Sequence, residues 1–373
     1  MIKVSAPGKI CIAGEWAVLE KGNYLIVASV NKRIFAEIKK SKDNFIYISI
    51  KDFGIKKLKA SIKNKKLVFE KKLNTKEKQE VLFAKSAIEA VVKYLGKIDS
   101  FEITTWGEET TTKIDNKVVS IGIGASAASV VAIVSGILRF HGKDIEKKAS
   151  KGKIYKLAAI AHYFAQGKIG SGFGIASSTF GGVIIYKKFD PYWLIEQINK
   201  NISFSEITTM EWPDLYIDSL YVPSGLNLLL GWTGDSSSTP KMVKKMNKWK
   251  EKNKRQYRSM LNKIGRLIEK IIRAWKAEDK EKILDLLRKN GELLKDLGRK
   301  TNINIETKKL AILSDIANKN GGAGKVSGAG GGDCGIAVTF DQNDSEKIIR
   351  EWEGKGINPI DVELSLDGVR EEF

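Results

Sequence analysis

The chain has 373 residues, of which 42% are hydrophobic, 29% charged and only 6 Pro; this is globular usage and excludes a disordered or collagen-like polymer. Lys and Arg number 64 against 44 Asp and Glu, a net charge of +20, but the lysines are scattered, as in Lys56-Lys57, Lys65-Lys66 and Lys244-Lys245, and read as solvated surface. Two cysteines, Cys11 and Cys334, and two histidines, His141 and His162, exclude a disulfide framework and a Cys- or His-rich metal site and count against a Ser/His/Asp triad.

No zinc finger, aromatic RNA-binding signature or basic zipper accompanies the charge, so nucleic acid is not an expected partner. Apolar runs are interrupted before membrane-spanning length, and Met1–Lys9 has no signal-peptide pattern. The expectation is a cytoplasmic protein with no membrane partner.

In chain order, the short apolar or alternating runs at 9–13, 24–28, 33–38 and 44–50 predict strands. Val81, Ala84, Ala87, Ile88, Val91, Val92 and Leu95 follow helical spacing over 76–95, and 101–106 returns to strand. Ala127–Leu138 is apolar nearly all round and, by length and its Ala-rich start, predicts a buried helix. A helix is expected over 154–166, a Gly-rich loop over 170–182 and a strand over 226–231. Thr239-Pro240 has the hydroxyl and first-turn Pro of a helix start. Tyr257–Trp275 and Ile283–Leu297 carry amphipathic helical stripes that read as core packing. A third Gly-rich loop at 321–332 precedes a strand at 334–340. The composition shift over 222–240 predicts the domain boundary.

Three loops carry chemistry. Gly122-Ile-Gly-Ala-Ser-Ala-Ala128 opens a helix, where glycines allow close approach and free N–H groups with the helix dipole favour an anion; Ser126 adds a hydroxyl for phosphate or Mg²⁺. It is not a Walker A loop, since no Gly-Lys-[Ser/Thr] follows. Lys325–Gly335 holds three consecutive glycines, a pattern that suits contact with phosphate oxygens. Gln166–Gly172 adds Lys168 as a point charge.

Together these segments resemble the GHMP kinases. Motif one is Ala6–Leu19, motif two the Gly122–Ala128 loop and motif three Ser327–Asp333. Within that superfamily the likeness is greatest to phosphomevalonate kinases, through Gly14–Glu20, Ala165–Phe173, Gly231–Gly234 with Ser236–Thr239, and Lys325–Gly335. The resemblance runs from residue 5 to about residue 340. It implies an α+β, two-domain GHMP-kinase fold: an N-terminal domain over 1–224 with the ATP phosphate loop, and a ferredoxin-like C-terminal domain over 225–373.

It further implies ATP and Mg²⁺ as cofactors and mevalonate 5-phosphate as the substrate, in the mevalonate pathway of isoprenoid biosynthesis. Gly122, Ile123, Gly124, Ala125, Ser126 and Ala127 would bind ATP, with Ser126 beside the metal. Lys9 would be catalytic. Lys9, Glu15, Lys168, Ser171, Gly172, Ser236, Ser237, Ser238, Gly328, Ala329, Gly330 and Gly331 would hold substrate, in a monomer or homodimer.

Trp106 or its strand is a candidate adenine flank. His162 reads as structural, and Cys11 and Cys334 as small buried hydrophobes. One position departs from the pattern: Gly174 stands where phosphomevalonate kinases usually carry an Asp, the expected base or lysine partner. The loss implies either slowed turnover, since a general base contributes roughly 10²–10⁴-fold, or a reaction run by positioning and Lys9 alone. Alternatives are another GHMP small-molecule kinase, acting on mevalonate 3-phosphate or a sugar, and a non-catalytic nucleotide-binding paralogue.

Overall fold

A computed structural model describes residues 1–108, 111–114, 117–234 and 239–372. In chain order the first part comprises β1 (Ile2–Ala13), β2 (Tyr24–Lys40), β3 (Ile46–Ile50), β4 (Ile55–Lys63), β5 (Lys66–Phe69), α1 (Thr75–Glu80), α2 (Leu82–Leu95), β6 (Phe101–Gly107), the hairpin β7 (Thr111–Ile114) and β8 (Lys117–Ser120), α3 (Ala125–Phe140), α4 (Lys148–Ala165), α5 (Phe173–Phe180), β9 (Val183–Lys187), α6 (Pro191–Asn199), α7 (Phe204–Thr209) and β10 (Tyr216–Leu220). The second part holds β11 (Asn227–Trp232), α8 (Thr239–Lys252), α9 (Lys254–Lys276), α10 (Lys280–Thr301), α11 (Lys308–Lys319), β12 (Ala323–Val326), β13 (Cys334–Thr339), α12 (Gln342–Glu353), β14 (Asn358–Ile360) and β15 (Arg370–Glu371).

The large sheet is organised by β2. The two runs expected at 24–28 and 33–38 form this one long strand. Its first half pairs with β9, its second half with β6, and β1 pairs antiparallel along most of its length. Period-two alternation sends successive side chains to opposite faces. Val4, Ala6, Cys11, Leu25 and Val27 therefore join one core with α2–α5. Ile10, Ile12, Ile26, Ala28 and Val30 join another with Ile264, Ile268 and Ile271 of α9. The sheet is thus a central layer with helices on both faces, and the apolar core is continuous with the C-terminal half.

The smaller sheet has the antiparallel order β12-β13-β11-β14. Taken with the helices between its strands, this is the ferredoxin-like arrangement. The chain then returns to the first sheet: β15 pairs with β1, Ser365 N donates to Ser29 O and Val369 N to Thr179 O. The boundary expected after residue 224 falls between β10 and β11, but the tail grouped with the second unit adds a strand to the first. Among the described residues no helix is long and apolar enough to cross a membrane.

The helix expected over 76–95 is two helices meeting at Val81, and most of the loop expected over 170–182 is α5. That helix is unusual in burying Ser177, Ser178 and Thr179. Each hydroxyl finds a partner, as buried polar groups must: Ser177 Oγ meets Ser29 Oγ at 2.8 Å, Ser178 Oγ donates to Pro7 O at 2.7 Å and Thr179 Oγ1 to Ile175 O at 2.7 Å.

Candidate active site

The site is built where β1, α3, α5 and the β12–β13 loop meet. The register of β1 against β2 shifts between Pro7 and Gly8. A Cβ at Gly8 would lie 2.9 Å from Ile123 O and 3.0 Å from Lys32 O, so only glycine allows this approach. The approach lets Lys9 N donate to Ile123 O at 2.7 Å and Lys9 Nζ to Gly122 O at 2.9 Å. Motif one is thereby clamped to motif two by one residue's backbone and side chain.

Gly124, at φ 78°, caps the start of α3 with no side-chain hydrogen bond, and Gly172, at φ 85°, does the same for α5. Their first turns leave backbone N–H groups without a capping side chain, each carrying the positive end of a helix dipole. Ala125, Ser126 and Ala127 of one helix and Phe173, Gly174 and Ile175 of the other line the same cavity as Lys9. Two helix N-termini and an ammonium facing one space make an anion site. Burial holds the Lys9 ammonium below its ordinary range, against the upward pull of nearby Cys11, Cys334, Asp333 and Glu15. A bound phosphate would favour its charged form.

Motif three closes the ring. Gly122 lies against Asp333, whose Cβ would be 3.3 Å from a Cβ there. Gly328, Ala329 and Asp333 reach the cavity. Gly330 and Gly331 do not; they anchor the loop from behind, Gly331 N donating to Ile305 O at 2.8 Å.

The cavity is about 610 Å³, within the usual range for small-molecule sites. One wall is mostly apolar: Ile34, Ile50 and Thr105 of the sheet, Phe53 in the turn after β3 and Phe83 of α2, with the half-buried Asp52 among them. Asp52 accepts from Gly107 N at 3.0 Å, and burial raises its carboxyl above the ordinary value. Another wall is made by Trp16, Val18, Leu19, Ile169 and Val243. His162 of α4 stacks on Phe83 with ring centroids 5.1 Å apart and shares a 3.2 Å hydrogen bond with Ser126 Oγ. Burial pulls its pKa down from 6.5 to about 4, so the ring is neutral at pH 7.

Of the residues expected from sequence, Lys9, Glu15, Gly122, Gly124, Ala125, Ser126, Ala127, Ser171, Gly172, Gly174, Gly328 and Ala329 line this single cavity. Ile123 is buried behind it and contributes its carbonyl. Lys168 is exposed, outside the lining, with its ammonium 5.6 Å from the Phe164 ring centroid. Ser236, Ser237 and Ser238 lie outside the described residues. Trp106 stacks on Phe35 at 5.4 Å, and its neighbour Thr105 lines the cavity instead.

Glu15 lines the cavity but spends its Oε1 on a buried ion pair with Lys325. His162, read from sequence as structural, and Trp16 both belong to the wall. His162 follows the helical period of α4 and sits just before a Gly-rich loop, which is the one signal that could have raised it.

Among the described residues no cluster of three or more His, Cys, Asp or Glu could hold a metal. A metal ion here fits only in company with phosphate oxygens, the usual habit of Mg²⁺. Ser126 Oγ and Asp333 are donors of the right kind in the lining.

Comparison with known proteins agrees with this geometry. Residues 83–182 match the model of the GHMP kinases N-terminal domain and residues 267–358 that of the GHMP kinases C-terminal domain. The chain is 28% identical to the phosphomevalonate kinase of Streptomyces sp. (strain CL190), covering 98% of this chain and 97% of that one. It is 27% identical to the mevalonate kinase of Thermococcus sibiricus, covering 100% and 98%. Among solved structures, Streptococcus pneumoniae phosphomevalonate kinase in complex with phosphomevalonate and AMPPNP superposes with a TM-score of 0.81 at 21% identity, covering 98% of this chain and 100% of that one. With matching N- and C-terminal domains and the three glycine motifs gathered around one lysine, the chain belongs to the GHMP kinase family.

Proposed function

We propose that the chain transfers the γ-phosphoryl group of ATP to the phosphate of mevalonate 5-phosphate, giving mevalonate 5-diphosphate and ADP. The observation that carries this reading is the pairing of two uncapped helix N-termini, those of α3 and α5, on either side of Lys9 in one cavity. Two such ends suit two phosphorylated ligands. The nucleotide phosphates lie on Gly122–Ala127, and the acceptor phosphate on Ser171–Gly174 with Gly328 and Ala329 against it. Ile34, Ile50 and Phe83 offer the apolar wall a base needs. The Streptomyces relative's name supports the acceptor.

A phosphate acceptor does not need a base at position 174. A hydroxyl acceptor must lose a proton as it attacks, whereas a phosphate monoester has its second pKa at about 6 and is largely dianionic at pH 7. Its oxygen attacks the γ-phosphorus, the bond to the β–γ bridging oxygen breaks, and ADP leaves with that electron pair. Phosphoryl transfer rests on positioning and charge neutralisation; the Lys9 ammonium supplies charge between donor and acceptor. Mg²⁺ carried by the nucleotide would add charge neutralisation at its phosphates, with Ser126 and Asp333 as its protein donors. The working unit is taken as the chain alone or a homodimer, with neither nucleic acid nor membrane required.

The test is ADP release with ATP–Mg²⁺ and mevalonate 5-phosphate, beside mevalonate, mevalonate 3-phosphate and a panel of sugars. Turnover confined to mevalonate 5-phosphate is expected; faster turnover with mevalonate overturns the assignment. Gly174→Asp provides a second check. A Cβ there meets Ala127 Cβ at 3.1 Å and Lys9 Cγ at 3.8 Å, so the new carboxylate would stand beside the ammonium. Because no base is required, kcat is expected to stay within about tenfold. A rise nearer the roughly 10²–10⁴-fold of a true general base would show that one was missing.

A further inference from the structure

Glu15 and Lys325 are 310 residues apart and form an ion pair in which each side chain is 1% exposed. Lys325 Nζ also donates to Val326 O at 2.7 Å. Gly291 of α10 packs on its stem, where an added Cβ would come within 3.3 Å of Lys325 Cβ.

The two ends of this pair lie at the roots of the two segments that close the cavity. Directly after Glu15, Trp16 adopts φ 62° and ψ −46°, and Ala17 N donates back to Glu15 O at 2.6 Å. This is a γ-turn of the strained, positive-φ kind, which persists only where surrounding structure imposes it. Trp16 is 4% exposed, its Nε1 makes no hydrogen bond among the described residues, and the ring lines the cavity. Two residues after Lys325, Ser327 exchanges hydrogen bonds with the backbone of Cys11, its Oγ accepting from Cys11 N at 3.2 Å and lying 3.1 Å from Cys11 O. Motif three begins at that serine.

A buried ion pair is a weak device for stability, because desolvation offsets most of the attraction and an apolar pair of the same volume often does as well. Its value lies in direction: Glu15 Oε1 meets Lys325 Nζ in one geometry, while Oε2 has no hydrogen-bond partner among the described residues. We propose that the Glu15–Lys325 pair is a positioning strap, which holds the Trp16 turn and the Gly328–Asp333 loop in a single register around Lys9. Glu15 spends its Oε1 on Lys325, and Lys325 is not part of the cavity lining; both are positioning residues. The activity part of this inference rests on the kinase reading above, and the conformational part does not.

The decisive variant is Glu15→Leu with Lys325→Met, compared with each single change by thermal melting, amide hydrogen exchange and kinetics. Each single change strands a buried polar partner or charge and is expected to lower the melting temperature. The double variant is expected to recover it to within about 5 °C of the parent, as the apolar replacement of a buried pair allows. Exchange at residues 14–19 and 327–333 is nevertheless expected to rise together by about tenfold or more. Turnover of mevalonate 5-phosphate should fall by about 10²-fold, the scale of a 1 Å misplacement.

Recovery of melting temperature, exchange and kcat together would show the pair to be merely structural and overturn the strap. If the parent turns over no acceptor, the exchange readout still decides, and the failure belongs to the substrate assignment. If the double variant does not fold, Glu15→Gln, which keeps shape and hydrogen bond but not charge, takes its place: exchange that rises in both segments more than in the rest of the chain supports the strap, and parental exchange there, or a rise spread evenly over the chain, overturns it.

Discussion

His162 brings a neutral imidazole into the cavity wall beside Ser126. Burial sets its pKa near 4 against 6.5 for the free side chain. Above pH 6.5 the ring is neutral in folded and unfolded chains alike, and stability is insensitive to it. Between 6.5 and about 4 the unfolded chain takes up a proton that the folded chain refuses, so stability falls with pH; below that window the effect levels off. At about 1.4 kcal/mol per pKa unit the loss approaches roughly 3 kcal/mol. Urea midpoints at pH 7 and pH 4.5 check this: the fall is expected to be smaller in His162→Gln by most of that amount, and an unchanged pH dependence would show that other groups set it.

At the level of elements, the site depends on helices that begin without side-chain caps. A Ser or Asp cap stabilises a helix by satisfying its first N–H groups; Gly124 and Gly172 offer no such cap at the cavity. Gly124 is constrained twice. Its φ of 78° is costly for any residue with a Cβ, about 1–2 kcal/mol. That Cβ would also lie 2.8 Å from Lys9 Cγ and 3.0 Å from Lys9 Cε. Gly124→Ala is therefore expected to shift the ammonium and lower kcat by about 10²-fold, with only a modest fall in melting temperature. Kinetics and melting on one preparation separate the two effects; near-parental kcat would show that Lys9 adjusts freely.

Across the whole molecule, the C-terminal tail ties the fold back to its first strand. Arg33, 6% exposed, donates to Ser5 Oγ at 2.6 Å, Ser365 Oγ at 3.0 Å and Gly368 O at 2.7 Å. Burial, more than the neighbouring Arg370, lowers its pKa to about 10. Gly368 also sits on the end of α5, where a Cβ would lie 2.1 Å from Thr179 O. Deleting residues 363–373 strands the guanidinium with Ser5 and uncovers the helix whose other end lines the cavity. Removing one side of a buried charged contact costs about 3–5 kcal/mol, a loss expected in the denaturant midpoint of the truncated chain. A midpoint within experimental scatter of the parent would mean the tail contributes nothing.

Glycine spacing and helical and strand periodicity were legible in the residues themselves, because they depend on local backbone freedom and side-chain period. They sufficed to expect α3, α9, α10 and several strands of the large sheet; the resemblance to the GHMP kinases added Lys9, Glu15 and the glycine-loop residues that make up part of the cavity lining. The helix α5 was not legible: its Ser-Ser-Thr run favours turns locally, and only the partners Ser29 and Pro7 make helix the better state. Lys168 looked like an anion ligand because it stands in a glycine loop, but its residue adopts φ 67° and the side chain lies outside the cavity. The Glu15–Lys325 pair, the place of His162 and the return of the tail depend on contacts between residues tens to hundreds of positions apart. No local pattern encodes those contacts; packing on both faces of the central sheet decides them.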